Sequence, residues 1–167
     1  MVLGMSVATF TLVHVIISLI AIAVGIAVVF GLLGSNRMPG LTAIFLLFTI
    51  LTSVTGFMFP FTELLPSHMV GILSLVLLAI ACIALYGMNL TGPWRPVYIV
   101  TAMASLYLNV FVLVIQGFQK ISPLHALAPG IPPTGPVFAG VQGIVLLAFV
   151  AVIVGAWRRF KPLSALA

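Results

Sequence analysis

Apolar residues fill this chain in long runs, interrupted only where Gly, Pro and a few polar groups cluster. The first run extends from about residue 7 to 33 and stops at Gly34, Ser35, Asn36 and Arg37. Others cover about 41–59, 68–90, 97–118 and 137–157. A membrane-crossing helix needs about 20 mostly apolar residues, and each run meets or approaches that length. Pro39 and Gly40, Pro60 and Pro66, Gly92 with Pro93 and Pro96, and the Pro-rich stretch 121–136 mark the connections. Ser67 stands where an N-cap of the third helix would be. The pattern predicts an all-α integral membrane helical bundle of five transmembrane helices, a single domain over residues 1–167. No internal repeat or low-complexity tract interrupts it. The competing arrangement has four spans, with the short second run re-entrant.

Composition removes the soluble classes. The chain is 63% hydrophobic and 4% charged, whereas a soluble domain carries about 25% charged residues. Its net charge of +5 comes from six Lys and Arg against one acid, Glu63. Those basic residues are too scattered to form a nucleic-acid surface. They read instead as topology signals, because Lys and Arg prefer cytoplasmic loops. With five spans, Arg37, Arg95, Arg158, Arg159 and Lys161 share one side, and Lys120 alone stands on the other. Tyr86, Trp94, Tyr98 and Trp157 gather at the basic ends of their spans, as interfacial aromatics do. The expected topology has the N-terminus outside and the C-terminus in the cytoplasm. Four spans would separate Arg37 from the tail and weaken this bias. The first basic residue comes after the first run, so that run reads as a retained helix and not as a cleaved signal.

Within the runs, polar and small residues fall into stripes that predict the inward faces. The first helix carries Thr11, His14, Ser18, Ala21 and Gly25. The second carries Thr49, Thr52, Ser53 and Gly56, and the third His68, Gly71, Leu75 and Cys82. The fourth carries Ala102, Ser105, Asn109, Val112 and Gln116, with Lys120 a turn beyond, and the fifth Ala139, Gln142 and Gly143. The expected topology puts His14, His68, Gln116 and Gln142 in the outer half of the bilayer or at its edge. Thr55, Glu63, Lys120 and His125 lie there or just outside, and Asn109 near the middle. Ionisable residues inside a span are costly and are functional candidates by default. His14 and His68 come from different helices and are candidate ligands of a b-type haem, with Gln116 and Lys120 beside them for a propionate or a quinone. A metal alternative takes His14, His68 and Glu63. Plainer roles compete: a neutral His14 bonded to a neighbour, a Glu63–Lys120 ion pair, a solvated His125, and Cys82 as a small packing residue.

The chemistry the chain lacks is equally informative. There is no Asp, so triads and carboxylate pairs built on Asp are excluded. Neither HExxH nor a phosphate-binding Gly-rich loop with its Lys is present, and no catalytic residue is identified. The sequon at Asn89 falls on the side expected to be cytoplasmic. No matched halves suggest an inverted-repeat transporter.

Thr52 to Phe61 (TSVTGFMFPF), Leu65 to Ile72 (LPSHMVGI), Gln116-x-Phe-x-Lys120 and Leu124 to Pro129 (LHALAP) resemble segments of a group of small bacterial, chiefly proteobacterial, multi-pass inner-membrane proteins. The resemblance implies the bacterial inner membrane and no particular activity. The leading expectation is a non-catalytic accessory or interaction subunit, in contact with the lipid bilayer and with other membrane subunits or further copies of itself. The alternative is an electron-transfer protein holding b-type haem or quinone. A small-solute channel or transporter ranks third.

Overall fold

The computed structural model describes residues 1–60 and 66–162. The long helices are α1 (Val7–Leu33), α2 (Pro39–Phe57), α3 (Pro66–Cys82), α4 (Trp94–Lys120) and α6 (Pro136–Arg159). A short helix, α5 (Ser122–Leu127), comes after α4. Among the described residues there is no strand, and five helices are long and apolar enough to cross a membrane, the third counted as Ser67–Gly87. The α1 bounds agree with the hydrophobic pattern, and the others move where proline acts. Pro39 and Pro136 lie in the first turns of α2 and α6, where an N–H is not needed and the fixed φ suits a helix. Pro96 is likewise accommodated near the start of α4. Because α3 begins at Pro66, Ser67 lies inside the helix and is not its N-cap. Beyond Cys82 the chain widens into a π-helical turn, Ile83–Gly87, closed by the Met88 N–H on the Ile83 carbonyl at 2.9 Å. Short α5 sits inside the stretch that reads as an irregular loop.

Helix α1 lies along α2, α2 against α3 and α3 against α4. Helix α4 also reaches α1 and α2, so it is the most enclosed, while α6 rests on α4 and α1 at the periphery. Lipid tails are as apolar as Leu, so close fit rather than water exclusion holds such helices together. The fit is tightest toward the end that carries Arg37, Arg95 and Arg158. There Phe45, Leu78, Ala81, Ile99, Ala102, Met103 and Leu106 are buried in one cluster. Gly25 is the reason α1 can join it: a Cβ at this position would stand 2.5 Å from Leu106 Cδ1 and 3.0 Å from the Phe45 ring.

The same end is tied by hydrogen bonds between distant parts of the chain. Arg95, at the start of α4, donates Nη1 to the carbonyls of Trp157, at 3.2 Å, and Phe160. A guanidinium on the last carbonyls of a helix satisfies acceptors that have no partner within the helix. Phe160 itself is buried against Tyr98, and the Lys161 N–H donates to Ser35 Oγ at 2.9 Å. The C-terminal segment therefore closes over the α1–α2 turn.

Gly25→Val will overfill the α1–α2–α4 contact and lower stability by about 1–3 kcal/mol. Gly140→Val, at a position with no atom within 4 Å of an added Cβ, will leave it nearly unchanged. Thermal unfolding of both variants in detergent checks the contrast.

Candidate functional site: a cavity within the bundle

The bundle is solid at its arginine end and hollow at the other. A cavity of about 570 Å³ lies between α1, α2, α3 and α4. Ligand pockets commonly measure about 300–1,000 Å³. Its wall is largely apolar, with polar groups from all four helices. Helix α1 supplies Thr11, His14 and Ser18, and α2 supplies Thr52, Ser53 and the gap at Gly56. Helix α3 contributes His68, Gly71 and Ser74, and α4 contributes Asn109, Gln116 and Lys120.

Local packing fixes His14. Its Nδ1 lies 2.7 Å from Thr55 Oγ1, and its ring stands perpendicular to Phe59 with centroids 5.3 Å apart. The ring lies against α2 at Gly56, where an added Cβ would stand 3.8 Å from His14 Cε1, an ordinary contact distance. The Thr55 hydroxyl has a single hydrogen, and the Leu51 carbonyl of the preceding turn lies 2.7 Å away to receive it. With its hydrogen on that carbonyl, the Thr55 oxygen accepts from a protonated His14 Nδ1, and this is the tautomer the pair of contacts favours. In the neutral ring, Nε2 is left with a lone pair. His68 is buried and faces the Phe57 ring at 5.7 Å.

Two cavity residues carry polar atoms with no hydrogen-bond partner among the described residues: Ser74 Oγ and Asn109 Nδ2. Ser74 is only 2% exposed. Burying such an atom unsatisfied costs about 1–3 kcal/mol. The neighbouring hydroxyls are different, because Thr52, Ser53, Thr55 and Ser18 all donate to carbonyls of the preceding turn.

All four residues expected at a haem or quinone site, His14, His68, Gln116 and Lys120, line this one cavity. Glu63, the third member of the metal alternative and the expected partner of Lys120, lies outside the described residues. Among those described, no group of three His, Cys, Asp or Glu is placed to hold a metal ion. Gln142 stands apart, its Nε2 on the Phe111 carbonyl at 3.1 Å, and His125 Nδ1 meets the Phe118 carbonyl at 3.3 Å. On α3 the expected inward stripe needs correction. Leu75 and Cys82 are only half-buried, while Ser74, Leu78 and Ala81 are buried. The series Gly71, Ser74, Leu78, Ala81 and Leu85 has the three-and-four spacing that identifies this face and the missed Ser74.

No protein family, curated protein or solved structure matches the chain.

Thr55→Val removes the acceptor that fixes the His14 tautomer. Ring ¹⁵N NMR will then show His14 changing from a predominantly Nδ1–H form to a mixture, with a stability loss of about 0.5–1.5 kcal/mol.

Proposed function

We propose that this protein is a multi-pass inner-membrane protein that binds a lipophilic small molecule bearing polar groups. One observation carries the reading: the intramembrane cavity contains Ser74 Oγ and Asn109 Nδ2, buried and unpartnered. A bundle that served only as a spacer would gain stability by closing over these atoms or replacing them. A ligand with oxygen acceptors satisfies them. Haem b is one occupant of this kind: in the Nδ1–H tautomer His14 Nε2 would ligate iron, and Lys120 lies on the same cavity for a propionate. The bias of basic residues supports a cytoplasmic location for the arginine end, and hence an outer-leaflet location for the cavity. The resemblance to small proteobacterial membrane proteins supports the bacterial inner membrane.

A second reading, the accessory subunit, draws support from α6. This helix is the least covered of the five spans, and it exposes Ile144, Leu147, Val150 and Val154. Lipid or a partner helix suits that face equally. A partner retained after purification in mild detergent, with no small molecule in the cavity, would favour this reading.

The binding reading is tested on protein purified from its native membrane, by solvent extraction, mass spectrometry and an optical spectrum before and after dithionite. The expected result is a small lipophilic molecule at near-stoichiometric level, with Soret and α bands if it is haem. Ser74→Ala and Asn109→Leu remove the unpartnered atoms. Each will raise the stability of the empty bundle by about 1 kcal/mol or more while depleting the extracted molecule. Retention of that molecule at wild-type level by both variants would remove the cavity as its site.

The orientation has its own test in a Cys82→Ser background. A membrane-impermeant maleimide will label Ser122→Cys in cells with a permeabilised outer membrane. It will label Asn36→Cys only after the inner membrane is opened. The reverse pattern rejects the proposed topology.

A further inference from the structure

The polar groups of the cavity lie at two depths. Gly25, Phe45 and Leu106 meet at one level, which sets a floor. His14 on α1 and Gly117 on α4 each stand about three helical turns above it, roughly 16 Å at 1.5 Å per residue. Gln116 and Lys120 bracket that upper level. Asn109 stands about one turn above Leu106, and Ser74 lies about 9 Å below His68 along α3. The upper tier therefore offers the lone pair of His14 Nε2 beside the Gln116 amide and the Lys120 ammonium. The lower tier offers the unpartnered Asn109 Nδ2 and Ser74 hydroxyl.

The cavity is not fully enclosed. Above the contact at Gly25 and Leu106, Leu19 of α1 and Leu113 of α4 both line it and are 46% and 40% exposed. An opening at these two side chains would let a molecule dissolved in the bilayer reach the polar groups without passing through water.

We propose that the cavity takes the head group of a membrane-dissolved quinone, preferring the hydroquinone form, with access between α1 and α4 past Leu19 and Leu113. This rests on the reading of the cavity as a ligand site and names the ligand class. A flat ring with oxygens on opposite edges can address both tiers at once. The deep oxygen accepts from Asn109 Nδ2 and Ser74. The other lies against His14 Nε2, and there the tautomer discriminates. A hydroxyl donates to that lone pair, whereas a quinone carbonyl sets lone pair against lone pair there and must turn to the Gln116 amide or the Lys120 ammonium instead. An anionic amphiphile with its carboxylate on Lys120 would lay its apolar tail across Asn109 and Ser74 and leave both unsatisfied. A sterol, with one hydroxyl, could serve one tier only. The isoprenoid tail of a quinone continues through the Leu19–Leu113 gap into lipid.

The full chain in lipid nanodiscs is titrated with decylubiquinone, with the same compound held reduced as decylubiquinol, and with palmitate as the anionic comparison. Decylubiquinol is expected to bind saturably and about tenfold tighter than the oxidised form, the equivalent of one net hydrogen bond. Palmitate is expected to bind weakly. Asn109→Leu will weaken both redox forms about tenfold. His14→Phe will bring the two forms to similar affinity. Thr55→Val keeps the imidazole but unfixes its tautomer, and will narrow the preference even if His14→Phe does not fold. Leu19→Trp with Leu113→Trp will slow association more than it changes affinity. Equal binding of the two forms by the wild type overturns the role given to His14. No saturable binding of either form overturns the quinone assignment. If an Asn109-dependent molecule is still extracted from native protein, the cavity remains a ligand site of another class; if none is extracted, both readings fail.

Discussion

Hydrocarbon offers a polar group no hydrogen bond, and this single constraint organises the bundle. Nearly every hydroxyl in the spans answers it within its own helix. Thr11, Ser18, Thr49, Thr52, Ser53, Thr55, Thr101 and Ser105 each donate to a carbonyl on the preceding turn. Such bonds make Ser and Thr acceptable at helix contacts and let small side chains stand where large ones would separate the helices. Against that background an unpartnered atom stands out. Gln142 leaves its Oε1 unsatisfied at the α4–α6 seam, while its Nε2 finds the Phe111 carbonyl. Ser74 and Asn109 leave theirs beside an open volume, where a bound molecule can reach them.

The two ends of the bundle divide the work. At the arginine end, Gly25 admits Leu106 and Phe45 to close contact, and Arg95 secures the last carbonyls of α6. Close packing there holds the four inner helices together, while at the other end Phe10 meets Phe59, His14 meets Thr55 and Phe57 meets His68. The hollow half can then keep polar groups apart and leave space between them. Rigidity in one half makes an unfilled volume tolerable in the other, because the cost of the void is borne by contacts elsewhere in the same helices.

Much of this architecture is legible in the sequence. Long apolar runs give the five spans, since hydrocarbon thickness fixes their length. The stripe Thr11, His14, Ser18 and the stripe Asn109, Gln116, Lys120 both face the cavity, because helical spacing alone sets which residues share a face. Other features are hidden for physical reasons. Ser74 escapes notice because Leu75 and Cys82 also keep step with His68 on α3, and one sequence does not say which neighbouring row faces inward. The π-helical turn at Ile83–Gly87 shifts the angular position of the residues after it, and apolar periodicity carries no mark of it. Whether two polar stripes touch or stand apart depends on how the helices splay. Local pattern does not encode that, so the cavity itself cannot be read from the chain. Nor can the bond from His14 to Thr55, which joins residues far apart in sequence.

The floor formed by Gly25, Phe45 and Leu106 has a consequence for traffic. Below the cavity the helices meet around the buried Leu78, Ala81, Ala102 and Ser105, and no residue lining the cavity lies beyond them toward the arginine face. A well closed at one end would give any occupant a single side of approach. That occupant would leave by the route it came, and a second could not enter until the first had gone. Residence time, rather than throughput, is the quantity such a shape controls.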